Sequence, residues 1–359
     1  MANTLKRIKD KGRDGFYKGE TANKLITFIK NQGGILTLQD LDQYVAVERE
    51  PIIGNYRDYF VFTMGPPSSG GVALIEILNI LEGYDLKDLG YRSADYIHIL
   101  KEAIKRGFAD RAEFLGDPDF NQDMPVGRIT SKEYANRLRE GIKMDVASVS
   151  DSSKFGQIYD SGQNTTHLSV IDSEGNAVSL TYTLEQSYGS KVVAEGLGFF
   201  LNDEMGDFNP VPGITNNLGQ IGTKPNLIAP GKRMLSSMTP TILVKDNKPV
   251  IVIGTPGGRT IINTVLQVIL NLVDHDMNIA QAIEAPRIHH QWLPDRIEFE
   301  SMSISKDTQA KLRERGHLLF ELPLRTNIGA AMGIMVDNKK GYITGAADSR
   351  SPDGGAVGY

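Results

Sequence analysis

The chain has 359 residues, 40% of them hydrophobic and 23% charged, which is ordinary globular composition and long enough for two domains or one large layered domain. The net charge of −5 offers no basic excess to a nucleic-acid partner, and no cationic amphipathic stretch marks a membrane surface. With no cysteine, disulfides, thiolate zinc sites and cysteine nucleophiles are excluded.

The first residues are charged from the sixth position and lack an apolar stretch, so they do not read as a signal peptide. Residues 20–32 predict an amphipathic helix ending at Gly33-Gly34. Strand-like runs follow at 45–49 and 58–64. Pro66-Pro67-Ser68-Ser69-Gly70-Gly71 predicts a stiff turn leading into a buried helix over 72–81. Residues 93–115 predict a long helix with Tyr96, Ile97, Leu100, Ile104 and Phe108 as its apolar positions. Serines accumulate over 141–164 while large apolar residues thin out, which predicts an exposed, mobile loop. From 166 the period falls to two. Residues 167–171 and 177–183, around Asp172-Ser173-Glu174-Gly175-Asn176, predict a β-hairpin. A second hairpin is expected over 241–253 around Asp246-Asn247, then a helix over 259–273 and strands near 332–336 and 342–346. The apolar run 265–273 is far too short to span a bilayer, so the chain reads as soluble with no membrane span. There is no internal repeat. Helices mixed with hairpins predict an α+β fold with antiparallel sheets rather than a doubly wound nucleotide fold.

Several motifs fail on inspection. The stretch from Gly254 to Thr260 resembles a phosphate loop but has the wrong spacing and no lysine. Adjacent His289 and His290 point in different directions and have no carboxylate at ligand spacing, so they read as structural. No G-x-S-x-G elbow is present. Asn164-Thr165-Thr166 matches a glycosylation sequon, relevant only in a eukaryotic secretory protein. It is also a threonine pair where a loop meets a strand. A threonine freed at its N-terminus carries its own base, the α-amine, which has a pKa near 7.7–8.0 and is substantially neutral at physiological pH.

Thr165-Thr166-His167-Leu168-Ser169-Val170-Ile171-Asp172, followed by Gly175-Asn176 and Thr181-Tyr182-Thr183, resembles the start of the small subunit of gamma-glutamyltranspeptidases. The resemblance continues through Leu201-Asn202 to Asp207-Phe208, Arg233 to Thr241, Gly254 to Gly258, Ala285 to Trp292 and Ala346 to Arg350. Upstream, Gly15 to Gly19, Gly33-Gly34, Asp40 and Pro66 to Gly71 resemble the second half of the large subunit.

That resemblance implies a four-layer αββα sandwich of the N-terminal-nucleophile hydrolase type. It implies self-cleavage between Asn164 and Thr165 into 1–164 and 165–359, which stay associated, with 141–164 as the processing loop. By resemblance, Thr165 is the nucleophile, Thr183 supports it, and Gly257 and Gly258 supply oxyanion N–H groups. Glu185, Glu204 and Asp207 are expected on the substrate α-ammonium, and Ser236 and Ser237 on its α-carboxylate. The donor is then a gamma-glutamyl amide such as glutathione, the acceptor water, an amino acid or a peptide, and neither cofactor nor metal is implied. The family also suggests a periplasmic or extracellular setting. Alternatives are a related acylase or poly-gamma-glutamate transferase on the same fold, or a truncated chain with little activity. The family's large subunit has a further N-terminal half carrying a carboxylate-binding arginine, which no residue here matches; Arg106 or Arg111 could stand in for it. Residues 209–224 are expected to form a lid, with Leu218 replacing a tyrosine often found there.

Overall fold

The computed structural model describes residues 1–150, 165–216, 220–324, 326–338 and 340–359, so Asn164, Leu218 and most of the expected processing loop lie outside the described residues. The chain divides into two units, one of residues 1–50 and 184–204, the other of 51–183 and 205–359.

The smaller unit contains α1 (Ala2–Lys11), α2 (Asp14–Tyr17), α3 (Gly19–Asn31) and α4 (Leu38–Gln43). Its core gathers Leu25, Ala194 and Leu197, with Phe16, Phe199 and Leu201 packed against them. Thr37 opens α4 with a capping box closed by Asp40. The strand expected at 45–49 does not form. Its alternation is that of a half-buried strand, yet Val45 and Val47 are both exposed. The strand that does form lies just after Pro51.

The larger unit begins with β1 (Ile52–Tyr56) and β2 (Tyr59–Thr63), then α5 (Gly70–Leu81), α6 (Ala94–Phe114), α7 (Val126–Ile129) and α8 (Lys132–Glu140). After the undescribed stretch come β3 (Thr165–Ile171), β4 (Ala177–Thr183), β5 (Thr241–Lys245), β6 (Lys248–Gly254), α9 (Thr260–Val273) and α10 (Ile279–Glu284). It ends with β7 (Ile288–His289), β8 (Ile297–Phe299), α11 (Lys306–Glu314), β9 (Leu319–Glu321), β10 (Met332–Asp337) and β11 (Tyr342–Ala347). Six strands form one antiparallel sheet in the order β1-β2-β5-β6-β10-β11. Strands from either side of residues 151–164 therefore share one sheet.

Buried α5, apolar almost all round, and α9, which carries a polar stripe of Thr260, Asn263, Thr264, Gln267 and Asn271, pack with α10 against one face of this sheet, and α6 packs on α5. Ile251 and Ile253 of β6 join that core. On the other face lies the β3–β4 hairpin, paired from Thr165↔Thr183 to Ile171↔Ala177. The turn at Asp172 is held by its own carboxylate, which accepts from the N–H groups of Glu174 and Asn176. The α+β class with antiparallel sheets is thus present, with a helical layer, a full sheet and a hairpin on the sheet's second face.

Candidate active site

Thr165 is the first residue of β3 and sits opposite Thr183, the last of β4. The hairpin meets the large sheet through small polar side chains rather than hydrocarbon. Ser179 Oγ donates to Ile253 O at 2.9 Å and accepts from Thr241 N–H at 3.1 Å, and Ser169 Oγ donates to Met332 O at 3.3 Å. His167 is buried between the layers, with Nδ1 2.8 Å from Thr181 Oγ1 and Nε2 3.0 Å from Ser169 Oγ. Burial pulls its pKa down to about 4, so the ring is neutral at pH 7. Gly254 makes room for it, since a Cβ there would stand 2.2 Å from His167 Cε1. The end of β6 therefore lies against the start of β3, two residues from Thr165.

From Gly254 the chain runs through Thr255-Pro256-Gly257-Gly258 into α9. Gly257 and Gly258 have φ of 142° and 54°, both in the region that favours glycine. A Cβ on Gly257 would also meet Thr260 Oγ1 at 2.5 Å. Among the described residues, neither glycine N–H donates to a protein acceptor. Two main-chain donors without side-chain cover can meet an oxyanion closely.

Ser236 and Ser237 are held by the turn that the sequence marked at Pro66 to Gly71. Ser236 N–H donates to Pro67 O at 3.1 Å, and Ser236 O accepts from both Ser69 N–H and Ser69 Oγ, at 2.9 and 2.6 Å. Arg111, from the last turn of α6, ties the two segments together. Its Nε donates to Ser69 Oγ at 2.8 Å and its Nη2 to Ser237 Oγ at 3.0 Å. Because Ser237 accepts from Arg111, its own hydroxyl proton remains to donate elsewhere. Burial pushes the Arg111 pKa below its usual range, nearby Arg259 adds to this, and Asp207 opposes it. A buried guanidinium and a carboxylate, Arg111 and Asp207, thus act on each other beside the serine pair. Asp207 is itself positioned through its carbonyl, which accepts from Asn226 Nδ2 at 2.7 Å.

Thr165, Thr183, Asp207, Ser236, Ser237, Gly257 and Gly258 all belong to the larger unit, whereas Glu185 and Glu204 belong to the smaller one. There, Asp203 N–H bonds to Leu184 O and Gln186 N–H to Asp203 Oδ1, both at 3.1 Å, which sets the segments carrying Glu185 and Glu204 side by side. Glu185 is buried, with φ of 72°. The arms of the 209–224 loop are joined by Gly213 N–H to Gly222 O at 2.9 Å and Asn209 Nδ2 to Thr223 O at 2.7 Å. His289 and His290 point to different partners: His289 Nε2 lies 2.9 Å from Gln291 Oε1, and His290 Nε2 lies 3.1 Å from Asp295 Oδ1. Sequence reasoning named Arg111 only as a possible substitute for an absent arginine and gave no role to Ser69 or His167. The signals available were the Ser-Ser within the marked turn and an arginine placed among the apolar positions of a buried helix.

Residues 1–358 match the family model described as Gamma-glutamyltranspeptidase. The chain is 46% identical over 365 residues to a "Glutathione hydrolase proenzyme" of Pseudomonas sp. (strain A14), covering 100% of this chain and 63% of that one. It is 37% identical over 346 residues to an "Acylase ACY 1 proenzyme" of Pseudomonas sp. (strain SE83), covering 96% and 58%. The fold superposes on a cephalosporin acylase from Bacillus halodurans with a TM-score of 0.83 at 27% identity, over 98% of this chain and 60% of that one. The chain thus spans about three fifths of the length of these curated relatives.

Proposed function

The chain belongs to the gamma-glutamyltranspeptidase family, and from that premise we propose that it is a self-processing threonine amidohydrolase that cleaves and transfers gamma-glutamyl groups. The observation that carries this reading is Thr165 at the first position of β3, opposite Thr183 and beside the β6 end from which Gly257 and Gly258 emerge. In maturation, Thr165 Oγ attacks the Asn164 carbonyl carbon, the C–N bond breaks, and the hydroxyl proton passes to the departing nitrogen. Water then hydrolyses the resulting ester, leaving an Asn164 carboxylate and a free Thr165 amine. In turnover that amine accepts the Thr165 hydroxyl proton as Oγ attacks the γ-carbonyl. The N–H groups of Gly257 and Gly258 receive the oxyanion, and the proton leaves with the departing amine. Water or an amino-acid amine resolves the glutamyl ester. Asp207 is proposed for the substrate ammonium, and Ser236 and Ser237 for its carboxylate, with Arg111 behind them. Relatives named glutathione hydrolase point to glutathione-type donors.

The relatives named as acylases support a second reading, in which a glutaryl group replaces glutamyl. A glutaryl group has no α-ammonium, so that substrate would offer Asp207 no positive charge. The test is incubation of the purified chain at neutral pH, with N-terminal sequencing of any smaller band and comparison of gamma-glutamyl and glutaryl anilides. Cleavage before Thr165, its loss in Thr165→Ala, and preference for the glutamyl substrate are expected. A folded chain that stays whole, or one that matures and prefers glutaryl, overturns the main reading.

A further inference from the structure

The residues just before the undescribed stretch are held in an unusual way. Residues 147–150 form neither helix nor strand, yet Ser150 is buried while Val149 beside it is 87% exposed. Buried charged side chains, not a neighbouring strand, satisfy much of their backbone. Ser148 N–H donates to Glu102 Oε1 at 3.2 Å, and Ser148 Oγ donates to Glu102 Oε2 at 2.5 Å. Lys105 Nζ donates to Ser148 O. Ser150 N–H donates to Asp295 Oδ2, and Ser150 Oγ to Trp292 O, both at 2.7 Å. Ala147 N–H donates to Arg315 O at 2.7 Å.

The charges holding this segment are coupled to one another. Lys105 lies 2.8 Å from Asp295, Lys101 lies 3.1 Å from Glu102 and 3.6 Å from Asp295, and Arg106 lies 2.7 Å from Glu102. Lys101, Glu102 and Lys105 are almost wholly buried. Burying such a cluster costs solvation that mutual attraction often fails to recover, so stability alone is a weak reason for it. Its position is more telling. Lys101, Glu102, Lys105 and Arg106 lie on α6, upstream of the Asn164–Thr165 bond, while Asp295, Trp292 and Arg315 lie downstream. The network grips the chain at Ser150, the last described residue before 151–164.

We propose that Lys105 and Asp295, with Glu102, form a positioning clamp for self-cleavage, fixing the upstream end of the segment that leads to Thr165. This rests on the self-cleavage reading above. The clamp takes no part in the bond-breaking step. It fixes the position and direction of the chain at Ser148 and Ser150, upstream of Thr165. Lys143 O and Ala147 N–H are held separately, by His98 and by Arg315 O, so releasing the clamp lengthens the sequence to the nearest held residue by only a few positions, and closure entropy, which grows with the logarithm of length, changes little. A larger effect on cleavage therefore measures orientation.

The test is the full chain carrying Lys105→Met together with Asp295→Leu, which leaves neither charge without its partner. Expected are a cleavage rate before Thr165 at least fivefold below wild type, loss of hydrogen-exchange protection at Ser148 and Ser150, and unchanged gamma-glutamyl turnover per matured site. A cleavage rate within twofold of wild type, with that protection lost, overturns the clamp and leaves the self-cleavage reading intact. If that double variant does not fold, Lys105→Gln together with Asp295→Asn, which keeps the polar side chains and removes both charges, is judged by the same two rates. A wild-type chain that never cleaves overturns the self-cleavage reading and the clamp together.

Discussion

Arg111 reaches from the last turn of α6 to donate a hydrogen bond to Ser237 Oγ at 3.0 Å. Replacing it with methionine keeps the bulk and removes the charge-assisted bonds to Ser69 and Ser237. The bond to Ser237 is the one that bears on the carboxylate site; a bond of this kind contributes ~1.5–3 kcal/mol, and every 1.4 kcal/mol is about tenfold, so Arg111→Met should lower kcat/KM for a gamma-glutamyl anilide by roughly 10- to 100-fold. Cleavage before Thr165 should persist, because Arg111 acts on the serine pair and not on the threonine. Steady-state kinetics on matured protein check this, and an unchanged kcat/KM would remove Arg111 from the site.

Gly257→Ala tests the oxyanion loop. At φ of 142° a side chain is strained by about 1–3 kcal/mol, and the new Cβ also meets Thr260 Oγ1 at 2.5 Å. A lower unfolding temperature and a collapse of turnover are expected together. Full turnover in a folded Gly257→Ala protein would show that this main-chain conformation is not needed.

Glu76 on α5 is wholly buried, and burial first, then the nearby Asp110 charge, raises its pKa well above the usual carboxylate range. Tyr134 in turn donates to Asp110 at 2.6 Å. The folded state holds the Glu76 proton where the unfolded state, with a pKa of about 4.3, releases it. Its contribution is therefore intact below that pH and is lost as pH rises toward the folded value. Glu76→Gln should be more stable than wild type at pH 7, with the difference vanishing near pH 4. Urea midpoints of both proteins across pH 4–8 give the answer, and a pH-independent difference would contradict it.

Asp348 anchors the C-terminal segment in a buried cluster. It lies 2.6 Å from Arg287 and 2.8 Å from Arg350, and its Oδ2 accepts from Ala331 N–H at 3.0 Å. Arg350 also pairs with Glu300 at 2.7 Å. Removing one partner leaves buried charge uncompensated, so Asp348→Ala should cost about 3–5 kcal/mol. Chemical denaturation checks the magnitude, and a loss under 1 kcal/mol would mean the cluster relaxes freely.

Local chemistry made much of this fold legible. Periodicity found α3, α5, α6 and α9 to within a residue or two at most ends, and Asp246-Asn247, with φ of 51° and 59°, turned β5 into β6 as its composition implied. What failed was pairing. The alternation at 45–49 is as strand-like as that of β1, but only β1 meets a partner, β2, across a tight turn. In the site, Thr165 and Gly257 are legible through resemblance to family motifs, because a threonine pair at a strand start is too common to mark a nucleophile by itself. Arg111 and Ser69 owe their place to contacts across 42 positions of sequence, which no local pattern reports.

The hairpin that begins with Thr165 rests on the sheet through Ser169, Ser179 and His167. Hydrocarbon faces slide over one another at little cost, because their attraction has no direction. Hydrogen bonds from a hydroxyl to a particular carbonyl do have direction, and a shift of one residue would turn each of these side chains to the wrong face. The seating works like a key in its ward: it admits one lateral position, and the threonine at the hairpin's open end inherits that position.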